Sequence, residues 1–253
     1  MLKKMIAIMI LIYAATLSNT HAAGLEIAVG GWYQKPSGTV GYKALSDTDL
    51  LDLEQDLKYE EETRIQGRVK IDMPLFFPNI YLVAAPAEFE ATGRKSAAFN
   101  FGDQTFAANV DFYSKLKFDQ YDIGLYYGLP FLRTATAGKF NIDLGLNLRL
   151  FDVETQVRQG GIYEKHSGTA AIPQVYVAAQ LTPIERLAIE GELRGISISG
   201  NTVYSAVGRA RIKIFGPAFI AVGYRFDTVD IDESDVVADF DLQGPFAEVG
   251  LKF

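Results

Sequence analysis

Beyond the first segment of the chain, one residue could serve as a general base near neutral pH: His166, with Ser167 and Glu164 beside it. A serine adjacent in sequence is poorly placed for a nucleophile–base hydrogen bond, because the members of such a site usually meet through the fold. His166 is therefore expected to be a solvated loop histidine. A second candidate is the acidic run Asp47, Asp49, Asp52, Glu54 and Asp56, followed by Glu60, Glu61 and Glu62. It could hold Ca²⁺ or bridge to anionic surfaces through divalent ions, but it lacks the spacing and turn glycine of an EF-hand. Leu50, Leu51, Leu53 and Leu57 interleave with these acids and predict a short amphipathic helix with a solvated acidic face. Gly30-Gly31 and Gly160-Gly161 are not phosphate loops, because no helix follows either pair. The third candidate is a set of charges on alternating segments: Arg64, Arg68, Arg149, Glu190, Glu192, Arg194, Arg209, Arg211 and Arg225. Such a set can pair internally or select ions. No catalytic residue, metal site or cofactor is assigned.

The elements that must carry these residues read as strands. Residues 1–22 read as a secretory signal to be removed, leaving 23–253 as one domain. Lys3 and Lys4 give a basic start, Met5 to Leu17 an apolar run, and Thr20-His21-Ala22 a small-residue cleavage site. After it there is no run of ~18 apolar residues that could form a membrane helix. Period-two alternation dominates instead. In Asn141 to Leu150 every even position is Ile or Leu, and the odd positions are Asn, Asp, Gly, Asn and Arg. Only a strand places those two sets on opposite faces. Arg64–Asp72, Leu187–Arg194 and Ser205–Phe215 repeat the pattern.

The reading gives about ten strands, near 25–35, 60–72, 79–92, 114–128, 139–157, 170–181, 187–199, 202–215, 217–228 and 240–253, with eight or twelve as alternatives. An even count puts both termini at one end. Connections at that end are turn-like. At the other end, long polar loops are expected at 36–59, 93–113, 158–169 and 229–239. The fold class is all-β: a single antiparallel up-and-down transmembrane barrel. One face collects residues such as Ile27, Val29, Ile123, Leu146, Ile189 and Val249 for lipid. The other collects the charges above, with Glu26, Lys70, Asp122, Glu248 and Lys252, for the lumen. A barrel of this size has little lumen beyond its side chains, so a lumen stapled by ion pairs is the expectation.

The last strand carries a resemblance. Phe253, Leu251, Val249 and Ala247 stand at alternate positions, with Pro245 departing at the next one. This resembles the terminal strand of Gram-negative outer-membrane barrels, in which a final aromatic and alternating apolar residues form the signal read by the barrel assembly machinery. The resemblance implies an outer-membrane location, periplasmic chaperones during biogenesis, and lipid with lipopolysaccharide as surroundings of a monomer. It implies no activity.

Bulk properties exclude other classes. The chain holds 24 Lys and Arg against 31 Asp and Glu, and loss of Lys3 and Lys4 would make the remainder still more acidic. No basic surface exists to neutralise nucleic-acid phosphates. There is no cysteine, which excludes disulfides, thiolate chemistry and Cys-ligated zinc. Three functions follow as expectations. The first is a structural or interaction barrel without catalytic activity. The second is a narrow porin-like channel or carrier for small solutes, from the arginines between 194 and 225. The third is an outer-leaflet lipid- or peptide-modifying enzyme resting on His166.

Overall fold

A computed structural model describes residues 24–253 except Leu75 and Ser234, so the expected signal segment lies outside the described residues. The strands are β1 (Gly24–Tyr42), β2 (Leu51–Asp52), β3 (Glu62–Asp72), β4 (Asn79–Ala85), β5 (Glu88–Gly93), β6 (Phe99–Phe101) and β7 (Gln104–Phe106). They continue as β8 (Phe112–Gly128), β9 (Phe140–Gln159), β10 (Ile162–Ile184), β11 (Leu187–Ile198), β12 (Asn201–Phe215), β13 (Ala218–Glu233) and β14 (Val236–Lys252). One short helix, α1 (Leu132–Ala135), lies in the β8–β9 connection.

Each strand pairs antiparallel with the next, and β14 returns to pair with β1, so the sheet closes. β4 and β5 are one wall strand broken at Pro86-Ala87, and both pair with β8. The wall therefore has ten strands. Closure leaves no backbone edge facing lipid, the condition for a sheet to cross a bilayer. Both described ends, Gly24 and Phe253, lie at the end that carries the β3–β4, β8–β9, β10–β11 and β12–β13 connections.

The closing seam explains Pro245. The β1–β14 ladder is interrupted between Trp32↔Phe246 and Lys35↔Gln243, opposite Gly244 and Pro245. There the proline ring meets no ladder acceptor it would have to satisfy. The Trp32 indole N–H instead donates to the Gly244 carbonyl at 3.2 Å.

Several expectations at the outer end are corrected. The stretch 158–169 is not a loop. β9 and β10 run through it and turn at Gly160-Gly161, with Gln159 paired to Ile162. A two-residue hairpin turn needs positive φ, and Gly160 supplies it at 58°. His166 is thus a strand residue. The stretch 229–239 is likewise taken up by β13 and β14, which pair as far as Glu233↔Val236. The loop expected from residue 36 starts only after Tyr42. It forms no amphipathic helix, only a 3-10 turn at Asp47–Asp49 and the bridge β2. Its leucines turn inward instead: Leu51, Leu53 and Leu57 are buried in the barrel mouth. The connection 94–111 adds the β6–β7 hairpin, whose Phe99 and Phe106 stack at 5.1 Å.

The misreadings share one cause. β9 reverses its facing partway along. From Ile142 to Leu150 the apolar residues face out, and Asn147 and Arg149 face in. From Phe151 to Val157 the apolar residues face in, and Asp152 and Glu154 face out. Leu146 is exposed while Arg149, Phe151 and Val157 are buried. β8 does the same, with Phe112, Leu116 and Phe118 buried above an exposed Tyr121, Ile123 and Leu125. The lower half of the wall is therefore patterned for lipid, and the upper half for water around an apolar core. Exposed tyrosines Tyr33, Tyr121, Tyr204 and Tyr224 mark the border.

Candidate functional site

The lumen at membrane height is filled by a lattice of charge. Its floor is Glu26, whose carboxylate receives Arg68 at 2.5 Å, Lys252 at 3.1 Å and the Arg211 guanidinium. Arg68 also donates to Glu248 through Nε and Nη2, at 3.0 and 2.7 Å. Arg211 reaches Glu190 at 3.0 Å. Glu192 is the hub. It accepts from Arg209 at 2.6 Å, Arg194 at 2.7 Å, Lys70 at 3.1 Å and the Tyr81 hydroxyl at 3.1 Å. The contributors sit on β1, β3, β4, β11, β12 and β14, so the bonds span the lumen from wall to wall. Alternation alone places them, because each is an inward position of a strand whose neighbours at i±1 face lipid.

Two further knots sit beside the hub. Arg149 makes a two-pronged bond to Asp122, with Nε at 2.7 Å and Nη2 at 2.9 Å. Asn147 joins that carboxylate at 2.9 Å and links it to Gln174. Arg225 grips Asp227 through Nε and Nη2, donates to Gln120 at 3.0 Å, and lies 4.5 Å from the centre of the Trp32 ring. Arg194 lies against the faces of Tyr81 and Tyr176, at 4.8 and 5.3 Å. Buried charges persist only when paired and hydrogen-bonded in this way.

Of the charges singled out in the sequence, Arg68, Glu190, Glu192, Arg194, Arg209 and Arg211 share the central lattice, and Arg149 and Arg225 form the side knots. Arg64 stands apart. It is partly exposed and donates to the Glu88 carbonyl. Asp227, Tyr81, Tyr176 and Trp32 were missed. Asp227 was readable as the same-face neighbour of Arg225. The aromatic participants were not, because an inward aromatic among charges looks like a phase error. Leu251, Val249 and Ala247 face outward on β14 and Phe253 follows directly after it; Phe253, Leu251 and Val249 are among the exposed apolar side chains.

The lattice divides the lumen. Below it a polar cavity of about 420 Å³ opens at the end bearing the chain termini, lined by residues including Lys70, Asp72, Tyr126 and Asp143. Within it, between Arg68, Tyr81, Arg209 and Arg225, only about 20 Å³ is free, the room of roughly one water. Above it lies the apolar core, built from Trp32, Phe89, Phe112, Phe118, Phe151, Phe240 and the inward leucines of the first loop. A second cavity of about 270 Å³ lies in this upper region. His166 lines it, its ring stacked on Tyr42 with centroids 4.1 Å apart. Among the described residues neither Ser167 nor a carboxylate hydrogen-bonds to the imidazole.

The loops over the mouth are held by Asp49. Its carboxylate accepts backbone N–H groups from Asn100 at 2.6 Å, Leu45 at 2.9 Å and Ser46 at 3.1 Å. Burial opposes ionisation of Asp49 most strongly, yet these donors together hold its carboxyl below the usual carboxylate range. Among the described residues, no acidic cluster is arranged to hold a metal ion.

A closed ten-stranded barrel, apolar outside and charged inside at membrane height, is an integral β-barrel of the Gram-negative outer membrane, and this chain is one. No protein-family model matches it, and no curated protein matches it in sequence. Among solved structures it is similar in fold to the outer membrane protease OmpT of Escherichia coli. The TM-score is 0.53 at 9% identity, covering 93% of this chain and 99% of that one. The translocator domain of the autotransporter NalP of Neisseria meningitidis aligns at TM-score 0.43 and 9% identity, over 99% of this chain and 96% of that one. Ail, the attachment invasion locus protein of Yersinia pestis, aligns at TM-score 0.38 and 8% identity, over 91% and 99%. The likeness to OmpT is one of fold.

Proposed function

We propose that the protein is a non-conducting barrel of the structural or interaction type, anchored by its lower half and acting through its outer end. The observation that carries this reading is the charge lattice. It crosses the lumen on six strands and leaves room for about one water between the two cavities. A hydrated ion passing it would have to break buried pairs, each costly to open. The outer half supports the second part of the reading, since its strands stand well above the ~9–11 residues a membrane crossing needs: β9 has 20 and β10 has 23. The reading includes no catalytic step, in keeping with His166 stacked on Tyr42 rather than on an acid. Its surroundings are outer-membrane lipid and lipopolysaccharide, its state is monomeric, and Phe253, Leu251, Val249 and Ala247 serve as its assembly signal.

Planar-bilayer recording of the purified protein tests it. The expected trace has no stable unitary current. A steady, ion-selective conductance proportional to added protein would refute the reading in favour of a narrow channel.

A further inference from the structure

The barrel wall has a notch at the membrane surface. β11 is 12 residues long, about one membrane crossing, and turns into β12 at Ser199-Gly200. The hairpins on either side are taller. The last β10–β11 pair is Val175↔Gly195, so β10 has no partner on that side from Gln174 up to Ile162. The last β12–β13 pair is Thr202↔Asp230, which leaves the top of β13 paired to β14 alone. Above the β11–β12 turn, β10 and β13 thus face each other across a gap. Tyr204, on the outer tyrosine border, is the fourth residue of β12, which opens with the two polar residues Asn201 and Thr202, so the floor of the notch lies at the outer membrane surface. Pro173 sits where the unpaired edge begins. Its missing N–H is tolerable there, because β9 pairs with it on the other side only.

The 270 Å³ cavity lies behind this notch. Its walls include His166 and Ala170 from β10, Val229 and Ile231 from β13, and Phe118 and Phe240 from the core behind. Gly168 and Ala170, inward positions on β10, remain exposed, so small side chains keep the entrance wide. The volume is just below the ~300–1,000 Å³ usual for ligand sites, and the lining is overwhelmingly apolar. Phe118, Phe151 and Phe240 line the cavity, above the charge lattice, and Tyr42 at the top of β1 and Phe101 of the β6–β7 hairpin line it as well. A pocket that is apolar and open sideways just above the outer membrane surface suits one chain of a molecule already in the bilayer.

We propose that the cavity is a binding site for a single acyl chain of an outer-leaflet lipid, entering through the notch between β10 and β13. The lipid's polar head would stay outside, near Thr169, Asn201 and Asp230. This site does not depend on whether the lumen conducts, and the two are read by separate assays.

Photolabelling tests it. The full barrel is reconstituted in phosphatidylcholine vesicles containing a phosphatidylcholine with a diazirine at its acyl terminus, irradiated and mapped by mass spectrometry. The expected result is labelling of inward residues Phe118, Phe240 or Ile231, which bulk lipid cannot touch, besides the outward belt residues Val175, Leu193 and Val222. Ala170→Trp and Gly168→Phe, which fill the entrance, should each remove the inward labels and keep the outward ones. Labels confined to the outward belt in the unsubstituted protein would overturn the proposal, whether or not either variant folds. A parallel arm adds a diazirine fatty acid to label-free vesicles. Inward labelling by the free acid alone would also overturn the assignment, because the site would then take a soluble amphiphile rather than a membrane lipid.

Discussion

Replacing Glu192 by glutamine would leave three cations without their shared counter-charge. Arg209, Arg194 and Lys70 all lie within 3.1 Å of its oxygens, and its side chain is 1% exposed. Leaving aside the half-exposed Lys252, the buried lattice sets Glu26, Glu190, Glu192 and Glu248 against Arg68, Lys70, Arg194, Arg209 and Arg211, an excess of one positive charge. Glutamine keeps the shape and the Tyr81 contact but raises that excess to two. Removing one partner of a buried pair costs about 3–5 kcal/mol, because the other charge stays buried. With a urea dependence of about 1–3 kcal/mol per molar, the unfolding midpoint should fall by roughly 1–5 M. The assay is the fraction of the heat-modifiable folded band after equilibration of the vesicle-inserted barrel in urea. Adding Arg194→Gln to Glu192→Gln should restore most of the loss, since the two changes act on one contact. A loss below ~1 kcal/mol for Glu192→Gln, or a double variant weaker than the single one, would refute the argument that the lattice is dry and mutually compensated.

Two further outcomes follow from the outer loops and the seam. Because the Asp49 carboxyl is held below its ordinary value, its contribution is present above about pH 4 and is lost as pH falls below that. Proteolysis of the 43–61 and 94–111 connections should therefore quicken in strong acid at a pH where the barrel band stays folded. Asp49→Ala should quicken it at neutral pH, by loss of charged hydrogen bonds that contribute about 2 kcal/mol. At the seam, a Cβ on Gly30 would stand 2.0 Å from the Ala247 carbonyl oxygen. Gly30→Ala should lower the temperature at which the folded band disappears, and an unchanged band would mean that β1 and β14 approach less closely than described.

The sequence made the lower half of this protein legible and hid the upper half, for one physical reason. Strict alternation reads correctly where lipid is outside, as in Asn141 to Leu150, and it placed Arg149, Glu190 and Glu192 in the lumen. At Leu150-Phe151 two apolar residues stand side by side and the facing reverses. Past that point the polar residues face water, and a reader keeping the lower phase takes residues 158–169 for a loop. The doublet was the available signal. The cavity was beyond reach, because its walls come from strands distant in sequence, and the notch depends on how two hairpins compare in height.

The reversal of facing has a consequence for how the strands find their places. A strand with uniform alternation looks the same after sliding by two residues, so in-and-out pattern alone does not index it vertically. Here a two-residue slide of β9 toward the base would draw Asp152 into the hydrocarbon and press Phe151 down toward Arg225 and Asp122. A one-residue slide would invert both halves at once. The switch point thus acts as a zero mark on each strand that carries it, fixing alignment with its neighbour and depth in the bilayer together. A barrel graduated in this way has a single low-energy setting, and the height of its notch above the membrane is set by the same mark.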